Sequence, residues 1–178
     1  MSPNDYYFKL GRTVTLTGFE PQWFDDITGG IHNAIVPDEY LDPFLLDIRK
    51  KYIGVTLLFR LPAHTFYMWH ADRKRKCALN FELTHANSVT YVGVPGYRGN
   101  LDKLEAVDYD NQLILLDTSQ QHSIANLDKQ RVIFTLGINN ASYLDVKTYI
   151  MDKYTMTTGG LHQVNYLETR EKNVWITQ

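Results

Sequence analysis

The chain has almost no cysteine, and this limits the kinds of site that it can build. Cys77 is the single cysteine among 178 residues, so neither an internal disulfide nor a cysteine-rich zinc site can form. It occupies every second position together with the apolar residues Leu79 and Phe81. This pattern predicts that Cys77 is a small, buried, apolar side chain and not a reactive thiol. A lone cysteine also fits a reducing compartment.

Long apolar runs and a strong charge of one sign are also missing. The longest apolar stretches, at 55–59 and 113–116, are too short to span a bilayer. The first residues contain no basic segment leading into an apolar one, so no secretory signal is expected. The net charge of −2 gives no general attraction to nucleic acids or acidic membranes. We therefore expect a cytoplasmic protein without a membrane partner, and a nucleic-acid partner is not favoured.

Aromatic residues, in contrast, are abundant: the chain has 12 Tyr, 8 Phe and 3 Trp. These residue types favour β-strands. No repeat, low-complexity tract or linker rich in proline and glycine divides the sequence. We predict one domain over residues 1–178, with a core at about 53–138, an N-terminal extension containing a helix and a strand, and a C-terminal tail.

The hydrophobic pattern predicts mainly β structure. Alternation at 13–17 indicates a strand, and Leu41, Phe44, Leu45 and Ile48 recur at helical spacing in a helix that Pro37 or Asp38 would begin. Short strands without intervening helices indicate an antiparallel sandwich or barrel. The strands are predicted at 53–60, 65–70, 76–83, 89–94, 112–117 and 130–138, followed by a helix at 143–154 and a loop at 156–160.

Three polar side chains have the chemistry of a metal site. Residues two apart on a strand point to the same face, so His70 and Asp72 can hold one ion together. His122 supplies a second imidazole about fifty residues later. Two imidazoles and one carboxylate form the facial triad of non-haem Fe(II) oxygenases. Three further coordination positions would then be free for a 2-oxo acid and dioxygen.

Arg131 lies inside an apolar strand, where a charge is costly unless it is paired. The alternation places it on one face with Ile133 and Thr135, opposite Val132 and Phe134. A guanidinium in such a strand can bind the far carboxylate of a 2-oxo acid through paired hydrogen bonds. An ion pair with an acidic neighbour in the chain is the alternative.

The order His-x-Asp, a second His about fifty residues later, and an Arg nine residues after it resembles the Fe(II)/2-oxoglutarate-dependent dioxygenases. The segments WHADRKRKCALNFEL (69–83) and HSIANLDKQR (122–131) resemble the small aspartyl/asparaginyl β-hydroxylase-like branch, which includes bacterial and phage proteins. The resemblance covers about 53–138. It implies a double-stranded β-helix (a jelly-roll or cupin-like fold) with flanking helices, iron ligands His70, Asp72 and His122, and Arg131 as the 2-oxoglutarate anchor.

The same resemblance implies further pocket residues. Tyr67 and Asn80 would line the cosubstrate pocket, with ordinary packing or turn hydrogen bonding as the alternative. Glu82 departs from the pattern, since relatives often carry proline or another non-acidic residue there. If it points into the barrel, it would repel 2-oxoglutarate or contact a cationic substrate. In the basic run 73–76, more typical of a solvated connector, we expect Arg75 to turn inward and to contact an acidic substrate.

The sequence thus predicts an Fe(II)- and 2-oxoglutarate-dependent oxygenase that consumes dioxygen and hydroxylates an amino-acid side chain, a peptide or a small metabolite. A cupin-like barrel that binds a metal or ligand without catalysis is the alternative. A nucleic-acid-associated protein that uses residues 73–76 is disfavoured by the net charge and by the lack of a recognised motif.

Overall fold

The computed structural model describes residues 6–25, 30–84, 86–93 and 104–155, and this part of the chain forms two antiparallel sheets and two α-helices. The helices are α1 (Pro43–Lys51) and α2 (Tyr143–Ile150), and α2 continues into a π-helical turn, Met151–Thr155. The strands are β1 (Tyr7–Lys9), β2 (Phe24–Asp25), β3 (His32–Ile35), β4 (Gly54–Leu61), β5 (Thr65–His70), β6 (Cys77–Glu82), β7 (Ser88–Gly93), β8 (Leu104–Val107), β9 (Ile114–Leu116), β10 (His122–Asn126) and β11 (Arg131–Ile138).

The strands form one seven-stranded sheet, in the order β1-β9-β6-β11-β4-β3-β2, and one four-stranded sheet, in the order β5-β10-β7-β8. Every pairing is antiparallel, and consecutive strands repeatedly change sheet. Two facing antiparallel sheets connected in this way form a double-stranded β-helix. The mainly β fold with flanking helices that the sequence predicted is therefore confirmed.

β11 divides the interior into two parts. Phe134 and Leu136 belong to the main core, which also contains buried residues of α1 and α2, so the helices cover the outer face of the large sheet. Ile133 and Thr135 point the other way and line a cavity between the sheets. This is the division of faces that the alternation predicted, and it leaves a cavity between the sheets in the described part of the chain.

The first helix begins later than the sequence predicted. A short 3₁₀ turn, Asp38–Tyr40, comes first, and α1 then begins at Pro43. Proline disfavours helical geometry in the residue before it. Asp42 is accordingly extended, and its carboxylate caps the helix by accepting a 2.8 Å hydrogen bond from the Leu45 N–H.

The strand predicted at 13–17 is wrong. This segment has no strand pairing, and the N-terminal strand β1 lies earlier, paired with β9. The alternation nevertheless has a physical cause: Val14 is buried in the main core and Leu16 packs against it, while Thr13, Thr15 and Thr17 are exposed. Alternating burial therefore occurs here in a segment without a hydrogen-bonded ladder.

The six strands predicted over 53–138 agree with the structure within about two residues at each end. β8 and β10 in this range were not predicted, nor were β1, β2 and β3 before it. The helix at 143–154 is confirmed as α2 and its π-helical turn. Residue 94 and the loop at 156–160 lie outside the described residues. Cys77 is fully buried, as expected, and burial raises the pKa of its thiol to about 12. None of the helices described is long and apolar enough to cross a membrane.

Candidate metal centre

An irregularity in β5 turns both Tyr67 and His70 toward the space between the sheets. Tyr67 pairs with Ile124 and His70 pairs with His122, so β5 carries one more residue than β10 between these two positions. An extra residue of this kind re-aims the side chains that follow it. Residues three apart on a regular strand would face opposite ways, but here both line the same cavity.

His70, Asp72 and His122 come together at the end of this cavity. Asp72 follows β5 in a loop that is fixed by a 2.9 Å hydrogen bond from its backbone N–H to the Thr118 carbonyl. One ligand atom from each of the three side chains lies within 4.8 Å of the other two. His122 is buried, while His70 and Asp72 are half-buried. The three residues that the sequence predicted as metal ligands are thus neighbours in space.

Both imidazoles are held in the orientation that a metal site requires. His70 Nδ1 lies 2.8 Å from the Met68 carbonyl oxygen, and His122 Nδ1 lies 2.9 Å from the Gln120 carbonyl oxygen. A carbonyl only accepts hydrogen bonds, so each Nδ1 donates a proton to it, which leaves Nε2 as the ring nitrogen that could bind a metal. Histidine ligands of protein metals are typically held by such a hydrogen bond from the other ring nitrogen.

The charge state of His122 also suits a ligand. Burial lowers its pKa to about 4, and the neighbouring His70 and Arg75 act in the same direction against the Gln120 carbonyl and Asp72. The imidazole is therefore neutral at pH 7, and its Nε2 lone pair is available. With the Asp72 carboxylate beside it, the donor set matches a divalent metal of the non-haem iron type.

Arg75 turns inward, as the sequence predicted, and binds a metal-ligand candidate directly. Its Nε lies 2.6 Å from Asp72 Oδ2, while Asp72 Oδ1 lies 3.9 Å from His70 Nε2. One carboxylate oxygen is thus taken by the guanidinium and the other faces the imidazoles. The sequence neighbours of Arg75 in the basic run, Arg73, Lys74 and Lys76, are exposed.

The space beside the three residues is a cavity of about 260 Å³. Tyr67 and Asn80 both line it, and the Tyr67 ring packs edge-on against His70 with 4.7 Å between ring centroids. Asn80 Oδ1 is buried without a hydrogen-bond partner among the described residues. An unpaired buried oxygen is costly, and here it borders a space that a polar ligand can fill. The rest of the wall is largely apolar, formed by residues such as Phe59, Leu61, Leu116, Ile124 and Ile133.

Arg131 does not lie at the surface of the metal cavity, where a residue that binds the cosubstrate directly would be expected. It is fully buried, and its Nη2 lies 3.1 Å from Glu82 Oε2. Among the residues that the structure describes, neither Arg131 nor Glu82 lines the metal cavity. Arg131 lies behind Thr90 and Tyr109, which do line it and which both contact the guanidinium. The ion pair with an acidic neighbour, which the sequence left open as the alternative, is therefore present.

Four residues around the site were not singled out from the sequence. Thr90 accepts hydrogen bonds from Arg131, Tyr109 covers its guanidinium, and Thr118 bonds to the backbone of Asp72 and Arg75. Gly137 lies beneath the Arg75 side chain. Thr118 could have been noticed, because it lies in the polar run that leads to His122. The other three depend on strand register, which spacing along the chain does not reveal.

No family model matches the chain, and no curated protein matches it. Among solved structures, an oxidoreductase of the 2OG-Fe(II) oxygenase family from Burkholderia pseudomallei is similar, with a TM-score of 0.51 and 12% identity over 66% of this chain and 72% of its own. For a prolyl-4-hydroxylase from Pseudomonas putida the TM-score is 0.49, with 11% identity over 62% and 69%. For a predicted oxalate decarboxylase from Thermotoga maritima the TM-score is 0.43, with 14% identity over 72% of this chain and 99% of its own.

At these identities the similarity concerns the fold alone. The fold and the site together define a class: a double-stranded β-helix with two histidines and one aspartate gathered at one end of an internal cavity.

Proposed function

We propose that this chain is a non-haem Fe(II)- and 2-oxoglutarate-dependent oxygenase. The observation that carries the proposal is the grouping of His70, Asp72 and His122 within 4.8 Å, with both Nδ1 atoms engaged by backbone carbonyls. The resulting set of two imidazole nitrogens and one carboxylate suits Fe(II) with open positions. The fold, found also in a 2OG-Fe(II) oxygenase family protein, is compatible with this activity.

In this proposal the iron, together with 2-oxoglutarate and dioxygen, supplies the oxidising power for hydroxylation of a C–H bond. The chain contributes binding, orientation and exclusion of water. His70, Asp72 and His122 would hold the metal, and the apolar part of the wall, which includes Phe59 and Ile133, would help to exclude water from the reacting atoms. Tyr67 and Asn80 would bind the cosubstrate near the metal, and Arg131 would anchor its far carboxylate.

The proposed prime substrate is an amino-acid side chain, a peptide or a small metabolite that carries an anionic group. Arg75 is the only lysine or arginine among the described residues that line the cavity, so an anionic group that enters would meet its guanidinium. The resemblance of residues 69–83 and 122–131 to the aspartyl/asparaginyl β-hydroxylase-like branch favours an amino-acid or peptide substrate.

Anaerobic reconstitution with Fe(II) and 2-oxoglutarate tests the proposal. A weak visible charge-transfer band is expected, and His122→Ala should abolish it because one ligand is lost. His64→Asn is the matched control, because His64 lies in the β4–β5 turn at φ 58 and asparagine tolerates that conformation. Wild-type protein that binds iron but develops no band with 2-oxoglutarate would contradict the proposal.

A second function has one specific observation in its favour. Because Arg131 is already paired with Glu82 behind the cavity wall, the chain can also be a cupin-like barrel that binds a metal or ligand without turnover. Aerobic incubation distinguishes the two. Conversion of 2-oxoglutarate to succinate that requires iron and His122 supports the oxygenase, whereas metal binding with no succinate supports the non-catalytic barrel.

A further inference from the structure

Two cavities approach each other at one buried ion pair. The metal cavity ends at Thr90 and Tyr109, and a second cavity of about 580 Å³ lies on the other side, where Glu82 and Tyr109 both line it. Arg131 contacts Thr90, Tyr109 and Glu82. The guanidinium therefore lies in the partition, with the metal cavity on one side and the cavity bordered by Glu82 on the other.

The hydrogen bonding of Arg131 is incomplete. Nη1 and Nη2 each lie 3.1 Å from Thr90 Oγ1, and Nη2 also lies 3.1 Å from Glu82 Oε2. Nε is buried with no partner among the described residues. A guanidinium offers five N–H donors, so this one retains donor capacity although Glu82 balances its charge. The Thr90 hydroxyl accepts from Arg131 and keeps its own proton to donate.

Glu82 is held on the side away from the metal. Its Oε1 lies 3.1 Å from the Ala86 backbone N–H and 3.5 Å from Ser88 Oγ. Burial raises the pKa of Glu82, while Arg131 and these donors oppose the rise. If Oε2 leaves Arg131, Oε1 can keep both donors, and the carboxylate then faces the second cavity, which Lys129 also lines.

We propose that Glu82 is a specificity-determining residue for cosubstrate binding: its carboxylate is paired with Arg131, and the C5 carboxylate of 2-oxoglutarate must either share the guanidinium with it or displace it. This inference rests on the proposed oxygenase function. Two carboxylates that share one buried guanidinium repel each other, so 2-oxoglutarate binds against the charge of Glu82. A 2-oxo acid without a second carboxylate does not reach Arg131 and does not meet this repulsion.

Glu82→Gln tests the inference, because the amide keeps the shape of the side chain and removes its charge. The full chain, reconstituted anaerobically with Fe(II), is titrated with 2-oxoglutarate and, separately, with 2-oxobutyrate, and the dissociation constants are measured from the visible band and by calorimetry. We expect Glu82→Gln to bind 2-oxoglutarate about tenfold more tightly and to bind 2-oxobutyrate as the wild type does. Glu105→Gln is the matched control, since Glu105 is a half-buried carboxylate on β8 that bonds to Tyr7.

The outcomes separate the two proposals. Wild-type binding of 2-oxoglutarate with equal or weaker binding by Glu82→Gln overturns this inference and leaves the oxygenase proposal standing. If wild type and variant both bind iron but neither binds 2-oxoglutarate, both proposals fail. Glu82→Ala also removes the competing charge, so it should shift the affinity in the same direction, and it replaces Glu82→Gln should that variant not fold by circular dichroism.

Discussion

Arg75 reaches the carboxylate of Asp72 because residue 137 has no side chain. A Cβ built on Gly137 would lie 2.6 Å from Arg75 Cδ, which is closer than carbon atoms approach. The backbone carbonyl of Arg75 accepts a 3.3 Å hydrogen bond from Thr118, which holds the loop in place. Because Gly137 on β11 has no side chain, the Arg75 guanidinium has room to bind and orient Asp72, a predicted metal ligand.

Gly137→Ala should therefore weaken metal binding without unfolding the protein. The new methyl group displaces the Arg75 side chain from Asp72, so we expect about a tenfold loss of metal affinity, as is typical when a residue that supports a metal ligand is lost. Arg75→Ala should give a similar loss, measured by titration with Co(II) or Mn(II). Arg73→Ala, at an exposed neighbour, is the control. Unchanged affinity in both Gly137→Ala and Arg75→Ala would show that Arg75 does not position Asp72.

The metal-ligand candidates could be proposed from the sequence because His70 and Asp72 lie two positions apart and His122 follows at a distance typical of a known family. The shared strand on which that spacing was interpreted is not present, since β5 ends at His70 and Asp72 lies in the loop after it. The partner of Arg131 could not. Glu82 meets Arg131 only because β6 and β11 pair with Glu82 opposite Ile133, and hydrophobic alternation does not set that register. A one-residue shift would have turned Glu82 to the other face.

At the scale of elements, one carboxylate connects the two helices. Asp47 on α1 accepts hydrogen bonds of 2.6 to 2.7 Å from Tyr149, Lys153 and Tyr154, which lie on α2 and its π-helical turn. Burial would raise the pKa of Asp47, but these three donors outweigh it and lower the pKa to about 2. The pairing therefore favours the ionised carboxylate in the folded protein.

Asp47→Asn should lower the free energy of unfolding at pH 7 by about 1 to 2 kcal/mol, since hydrogen bonds to a charged group are lost. The folded pKa of Asp47 lies below its ordinary value of 3.8, so its contribution is present above about pH 4. It is lost as the pH falls toward 2. Urea unfolding at several pH values should show the difference between the two proteins shrinking over that window. A constant difference would contradict this assignment.

The six strands found at 53–138 were predictable because most of them bury at least one face, and burial leaves a pattern in the sequence. The segment 13–17 shows the limit of that signal, because packing on the core produces the same alternation without a ladder. β10 was not predicted as a strand, since its residues His122–Asn126 include a single β-branched apolar residue, Ile124. Its pairing with β5 and β7 overrides that weak local preference.

At the scale of the whole molecule, the candidate metal centre joins parts that are distant in sequence. His70 and His122 belong to neighbouring strands of the small sheet, and Asp72 lies in the loop that leads to β6 of the large sheet. An ion bound by all three would link the loop between β5 and β6 to β10. It would bind the folded chain far better than an unfolded one.

A bound divalent metal should consequently raise the melting temperature. At a free metal concentration one hundred times Kd, the expected stabilisation is about 2.7 kcal/mol. Thermal unfolding with and without Mn(II) measures the shift, and His122→Ala should remove it. A rise of equal size in His122→Ala would place the binding elsewhere on the chain.

The position of β11 has a consequence for the newly made chain. It is the last strand along the described part of the chain, yet it lies in the middle of the large sheet and pairs with β4 on one side and β6 on the other. On the ribosome, β4 and β6 are therefore complete long before the strand that joins them has emerged. Until residue 138 is available, their hydrogen-bonding edges and apolar side chains stay open to other partners. Chaperones that bind extended apolar segments would have their main opportunity in that interval.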